Sequence, residues 1–157
     1  MKRFGIHHIL HSADILEARL RQRLRGLNLQ PRQARVVDAL GRLGTASQGK
    51  LARQFDVTPA SMSTMTARLI NGGWISRSPD PDDPRINVLR LTDKGQDLRA
   101  EIEAAWEDMD RMIRDLLGPD TADAFLQGAF KLHQALGAHV PGTQPPHTSL
   151  HPEETDS

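Results

Sequence analysis

A chain of 157 residues with 38% hydrophobic and 25% charged side chains is long enough for one domain with a real core and short for most multi-domain enzymes. It contains no cysteine, which excludes disulfides, thiol catalysis and cysteine-based zinc sites. Lys plus Arg number 20 and Asp plus Glu number 20, and this zero balance argues at first against a nucleic-acid binder, since such domains usually carry a basic surplus. Counted by segment, however, residues 1–29 hold 6 basic and 2 acidic side chains, residues 30–95 hold 10 and 6, and residues 96–157 hold 4 and 12. Two stretches of +4 are cancelled by one of −8.

The opening run Met1 to His8 leads into an amphipathic rather than a continuously apolar segment, so neither a signal peptide nor a membrane span is expected, and the protein reads as cytoplasmic. From Ile6 to Leu27, Ile6, Ile9, Leu10, Ala13, Leu16, Leu20, Leu24 and Leu27 recur at helical steps. Such a stripe needs a partner, and Leu98, Ile102, Ala105, Trp106, Met109, Ile113, Leu116 and Leu117 form a second one. Gly118-Pro119-Asp120 breaks it before a last helix with Ala122, Phe125, Leu126, Ala129, Phe130, Leu132 and Leu136 on its apolar side. Between the two helical ends lie shorter elements. Pro31 to Leu43 reads as a helix with Val36, Val37, Leu40 and Leu43 inward, ended by Gly44; Ser47 then caps a short helix with Leu51, Ala52 and Phe55 inward. Thr58 caps a third helix with Pro59 in its first turn, and Gly72-Gly73 stops it. The period then becomes alternating in Trp74–Arg77 and in Ile86–Leu91, with turn residues from Ser78 to Pro84 between them. Three helices followed by a two-stranded hairpin is the order of a winged helix-turn-helix, so the fold is expected to be mainly α with a small β-hairpin wing. Pro141 to Ser157, proline-bearing and almost without apolar residues, reads as a disordered tail.

On the third helix, Met62, Met65, Thr66, Leu69 and Ile70 fall on one side at 100° per residue. The opposite side presents Ala60, Thr64, Ala67, Arg68 and Asn71, flanked by Ser61 and Ser63. Small hydroxyl side chains and one guanidinium allow the backbone to approach a groove, bond phosphates and read base edges. Ser and Thr are mediocre helix formers, so their concentration outward is better explained by docking than by a solvated face. The hairpin tip is expected to gather Arg77, Asp83 and Arg85; an arginine there can enter a minor groove, with Asp83 holding the Arg85 guanidinium. Against this stands the reading of an ordinary exposed ion pair.

The run Leu51-Ala52-Arg53-Gln54, Val57 to Ser63, Arg68-Leu69, Gly73-Trp74-Ile75, Arg77, Pro79 to Asp83, Arg85 and Leu91-Thr92-Asp93-Lys94-Gly95 resembles the MarR family of bacterial transcriptional regulators, over roughly residues 5 to 140. The resemblance implies a homodimer in which residues 5–30 and 96–140 form the helical dimerisation region and residues 31–95 the winged helix-turn-helix. It further implies a pseudo-palindromic operator in double-stranded DNA and repression relieved by a small effector. Ser61, Ser63, Thr64 and Arg68 would face the major groove, and Asp83 and Arg85 would form the wing-tip pair. The sequence departs from the family pattern at Thr64, where arginine is frequent, and at Pro84, which replaces a residue that is often basic.

The effector cleft that the resemblance implies lies between the dimer helices and the winged unit, which makes His8, His11, Trp106 and Met109 candidates to hold an aromatic acid. His7 and His11 share a helix face at a metal-compatible spacing, yet no carboxylate precedes Asp14, and no metal site or cofactor is expected. Arg19, Arg21, Arg23 and Arg25 spread around their helix rather than lining one face. With no cysteine, no tyrosine, no Gly-rich phosphate loop and no framed carboxylate pair, the chain offers no catalytic constellation. The competing class is a helical protein-interaction module that does not bind DNA.

Overall fold

The structure, a computed structural model, describes residues 4–137. The tail expected from Pro141 to Ser157 lies outside the described residues. Helix α1 spans Gly5–Leu24 and passes into a single 3-10 turn at Arg25–Leu27, so the first helix is one turn shorter than its apolar period suggests. Asn28 then takes a left-handed conformation, with φ of 55°, and turns the chain into α2, Pro31–Leu43. Pro31 suits the start of α2 because its missing amide hydrogen has no helical partner to lose, and the Gln33 side chain reaches back to accept from the Gln30 amide at 2.9 Å.

After Gly44 come β1 (Ala46–Ser47), α3 (Gln48–Gln54), α4 (Pro59–Asn71), β2 (Ile75–Pro79) and β3 (Asn87–Leu91). The sheet has three strands in the order β1-β3-β2, both pairs antiparallel, where the sequence suggests two. The extra strand contributes only Ala46 opposite Leu89 and Ser47 opposite Val88. Two residues are too few to express an alternating pattern, and Ser47 also serves as the cap of α3. Central position in the sheet is what buries Val88 and Leu89 on β3. Two long helices complete the chain, α5 (Asp93–Leu117) and α6 (Pro119–Ala135), separated by Gly118 at φ of 77°.

One core joins these elements through Leu24, Leu29, Val36, Leu40, Leu51, Met62, Leu69, Ile75, Leu89 and Ile102. Arg19 Nη1 meets Met112 Sδ at 3.1 Å and Arg23 Nη1 meets Asp108 Oδ2 at 3.4 Å, so the C-terminal half of α1 runs antiparallel along α5. The N-terminal half of the α1 stripe has no such cover: Ile6, Ile9 and Leu10 are each more than half exposed, at 55%, 52% and 58%. The α6 stripe is also incomplete, with Ala122 buried but Phe125, Leu132 and Leu136 exposed. The two end stripes therefore do not close on each other within one chain. Among the described residues no helix is long and apolar enough to cross a membrane.

An ion cluster ties α2 to α5. The Asp38 carboxylate, 6% exposed, pairs with Arg42 on its own helix and accepts from Arg99 Nε at 3.4 Å, while Arg99 Nη2 reaches Glu103 at 3.0 Å. The Arg99 side chain lies over Gly41, where an added Cβ would overlap it, so the absence of a side chain there admits the guanidinium. Removing the carboxylate takes the acceptor from Arg42 and leaves the half-buried Arg99 with Glu103 alone, next to a buried site that has lost its charge partner. Asp38→Ala is therefore expected to lower unfolding free energy by about 2 kcal/mol, read as a lower urea midpoint at unchanged slope, with Asp38→Asn costing less.

Candidate nucleic-acid interface

The local chemistry of residues 47–72 sets one helix across another. Ser47 Oγ accepts from the Lys50 amide at 3.2 Å and starts α3. Asp56, at φ of 49°, takes the left-handed turn that short polar side chains tolerate, and the Val57 amide closes the turn on Ala52 O at 3.1 Å. Thr58 Oγ1 then accepts from the Ser61 amide at 3.1 Å, with Pro59 behind it, and α4 begins.

Helix α4 is sealed along one edge and open along the other. Met62, Thr66 and Leu69 are fully buried, and the Thr66 hydroxyl is satisfied by donating to Met62 O at 2.9 Å. Ala60, Ser61, Ser63, Thr64, Ala67, Arg68 and Asn71 are all exposed, the set that the helical period assigns to the outside. The Thr64 hydroxyl donates to Ala60 O at 3.1 Å, which keeps its oxygen available as an acceptor. Ser61 Oγ accepts from Thr58 Oγ1 at 3.0 Å, so its own hydrogen points elsewhere. The Arg68 guanidinium has no hydrogen-bond or ion-pair partner among the described residues.

The loop between β2 and β3 is built by aspartates. Asp80 Oδ1 accepts from the Asp82 amide at 2.8 Å, and Asp83 Oδ1 accepts both the Arg85 amide at 3.1 Å and Arg85 Nε at 3.2 Å. One carboxylate oxygen thus fixes both the backbone and the head of Arg85, whose side chain is nevertheless 91% exposed. Arg77 is not part of this tip, contrary to the sequence expectation. It sits inside β2 opposite Leu89, and its Nη2 donates to Gln48 Oε1 at 3.1 Å, bracing the sheet against α3. The strand continues two residues further than its alternating run suggests, and that extension carries Arg77 away from the turn.

The four residues considered for an effector do not meet within one chain. Met109 is buried and Trp106 half-buried against the core, whereas His8 and His11 are exposed. Arg23 faces Asp108, and His11 stands twelve positions before Arg23, which places it about 18 Å further along α1. Among the described residues no group of three or more His, Asp or Glu side chains is arranged to hold a metal. Two residues around the interface carry weight that single-residue reasoning overlooked: Gln48, which orients Arg77, and Lys94, which bonds the end of α4. Neither lies on a patterned face, and only the three-dimensional neighbour reveals the role.

A helix-turn-helix of α3 and α4 resting on α2, closed by a small antiparallel sheet with a structured loop, defines a winged-helix protein. The MarR family model matches residues 29–86, the stretch that holds the helix-turn-helix and most of the wing. It is 30% identical over 77 residues to the uncharacterized HTH-type transcriptional regulator YdgJ of Bacillus subtilis, a match covering 49% of this chain and 45% of YdgJ. Against the HTH-type transcriptional regulator FarR of Neisseria gonorrhoeae it is 26% identical over 110 residues, 70% of this chain and 75% of FarR. The chain thus spans less than half the length of YdgJ, and 36% of a second Bacillus relative, YhbI. The fold matches the reduced form of MarR from E. coli with a TM-score of 0.73 at 19% identity, covering 87% of this chain and 99% of that one. A mutant MarR from E. coli complexed with operator DNA matches with a TM-score of 0.70 at 19% identity, over 85% and 94%.

The cap of α4 is testable without any ligand. Thr58→Ala removes the acceptor for the Ser61 amide and is expected to cost about 1 kcal/mol, seen as a lower thermal midpoint that Thr58→Ser largely restores.

Proposed function

We propose that this protein is a cytoplasmic, DNA-binding transcriptional regulator of no enzymatic activity. In this reading it acts as a homodimer, with α4 of each protomer in a major groove and Arg85 of each wing in the adjacent minor groove of a pseudo-palindromic operator. The observation that carries the reading is the open edge of α4: small hydroxyl residues and an unpaired guanidinium on a helix whose other edge is locked in the core. Small side chains let the backbone come close to phosphates, and Arg68 supplies a donor fork suited to guanine. Ser61, Ser63 and Thr64 add hydroxyl contacts, and Asp83 holds Arg85 in the direction that insertion requires. Arg77 acts in this scheme by bracing the wing through Gln48 rather than by leading it. That the structurally similar mutant MarR from E. coli is complexed with operator DNA supports DNA as the partner.

The homodimer is supported by the apolar side chains that one chain leaves open at both ends, Ile6, Ile9 and Leu10 on α1 and Phe125, Leu132 and Leu136 on α6. Patches of this kind mark association surfaces. Repression released by a small aromatic acid belongs to the same proposal. Because His8 and His11 lie far from Trp106 and Met109 in one chain, such a ligand would have to bind between protomers to use all four.

The test is a mobility-shift titration on duplexes that the wild-type chain enriches from a random library. Arg68→Ala is expected to weaken binding by about tenfold or more and to relax base preference; Arg85→Ala should weaken it comparably. The logarithm of the binding constant should fall steeply and linearly with the logarithm of salt concentration, as counterions leave the phosphates. Binding that ignores salt, or that survives both substitutions intact, would leave the interaction-module reading instead. Light scattering should return twice the chain mass.

A further inference from the structure

The chain leaving α4 turns three consecutive carbonyls toward the first turn of α5. Gly72 O accepts from Lys94 Nζ at 2.8 Å, Gly73 O accepts from Thr92 Oγ1 at 2.6 Å, and Trp74 O accepts from the Thr92 amide at 3.0 Å. Thr92 Oγ1 works in both directions, since it also accepts from the Gly95 amide at 3.0 Å and so caps α5. Gly95 is buried against this junction, where a Cβ would overlap the Trp74 carbonyl; only glycine lets α5 approach so closely. The Lys94 ammonium also lies 5.3 Å from the centre of the Trp74 ring. Its charge sits where the exposed carbonyls of a helix C-terminus concentrate negative potential.

We infer that Thr92 and Lys94 are positioning residues for α4: they clamp its C-terminal end to α5, so that the pitch of the helix in a groove follows the orientation of α5. This inference rests on the DNA-binding reading proposed above. Arg68 stands one turn before the clamp, and its carbonyl accepts the Gly72 amide at 3.0 Å, so a tilt about that end moves the Arg68 head directly. Base-edge bonds tolerate little displacement, whereas phosphate contacts tolerate more, because the attraction is long-ranged. Loosening the clamp should therefore erode discrimination between sequences before it erodes general affinity. The same junction is a route by which a shift of α5, which packs along α1 and α2 and joins α6, would reach the DNA-facing helix.

Lys94 is exposed, so its loss should change binding without unfolding the chain. The experiment compares wild type, Lys94→Gln and Lys94→Arg on a duplex enriched by the wild type from a random library and on a scrambled duplex of equal length. Lys94→Gln is expected to bind the enriched duplex about tenfold more weakly and the scrambled duplex within about twofold of wild type, with the salt slope unchanged. Lys94→Arg, which keeps charge and donor, should recover most of the affinity. A thermal midpoint close to that of wild type should accompany both. Thr92→Val, set against Thr92→Ser, gives the second arm: the valine chain should lose discrimination and the serine chain keep it. An equal loss on both duplexes together with a salt slope shallower by about 1 would make Lys94 a phosphate contact and overturn the inference. Undiminished discrimination in Lys94→Gln and Thr92→Val would overturn it as well. A wild-type chain that enriches no duplex overturns the DNA reading itself, a result distinct from either of these.

Discussion

Everything that α4 can present depends on how Met62, Thr66 and Leu69 are seated. All three are without solvent exposure, and they fix the rotation of the helix about its axis. A rotation by one position, about 100°, would exchange them for Ser61, Met65 and Arg68. Arg68 would then enter the apolar core and Leu69 would leave it, and burying a guanidinium among apolar side chains adds a large cost to the loss of Leu69 burial. The buried Thr66 creates no opposing cost, because its hydroxyl is satisfied within the helix. The open edge is thus specified by what the closed edge refuses to admit. Caps at each end then limit translation along the axis: Thr58 at the start, and the carbonyls of residues 72–74 held by Thr92 and Lys94 at the finish.

The balance of charges takes on a different meaning once the pairs are known. Zero net charge conceals two basic stretches and one acidic stretch of sequence, but the basic surplus of residues 1–29 is not all free. Arg21 pairs with Glu17, and Arg23 reaches across to Asp108 on α5. On the acidic helices, Arg111 and Arg114 are likewise engaged by Asp108 and Asp123. Several cations of the long helices are thus engaged in exposed pairs, within a helix or between neighbours, worth little stability each. Arg68 is unpaired and Arg85 is held yet open to solvent, so the usable positive charge is concentrated in the winged unit. A count by segment locates the polarity of the molecule; only the pairing tells which cations remain to meet an anion.

The helices were legible because each carries an apolar stripe and several a cap or a stop: Ser47 and Thr58 cap where they stand, and Gly44 and Gly118 end or separate helices. The open edge of α4 and the Asp83–Arg85 pair were legible for the same reason, since both are local in sequence. What escaped was either too short or too distant. Strand β1 has two residues and no period. Arg77 was assigned to the tip because strand ends are set by tertiary pairing, here as far as Pro79 opposite Asn87. The Asp38–Arg99 bond and the Lys94–Gly72 bond join positions far apart along the chain, and no spacing rule anticipates them. The stripe on α1 was read correctly as a stripe; its expected partner covers only the half that runs along α5.

That half-covered stripe bears on how a helix with so modest a reading edge would find a site at all. One α4 offers a single arginine and a few hydroxyls, and each good base contact discriminates by only about 1–3 kcal/mol. A lone winged unit would therefore be a weak and undiscriminating ligand for DNA. In the proposed dimer, joining two units through the open apolar faces of α1 and α6 would make the second engagement intramolecular, and the two sets of contacts would then multiply rather than add. The gain exists only if both helices meet their half-sites at once, roughly one turn of duplex apart. The distance between them would be set by α5 and by whatever fastens α4 to it, so a small change in that fastening would be felt at both half-sites together. In the proposed dimer, discrimination resides less in the side chains of α4 than in the rigidity with which α5 holds two copies of them apart.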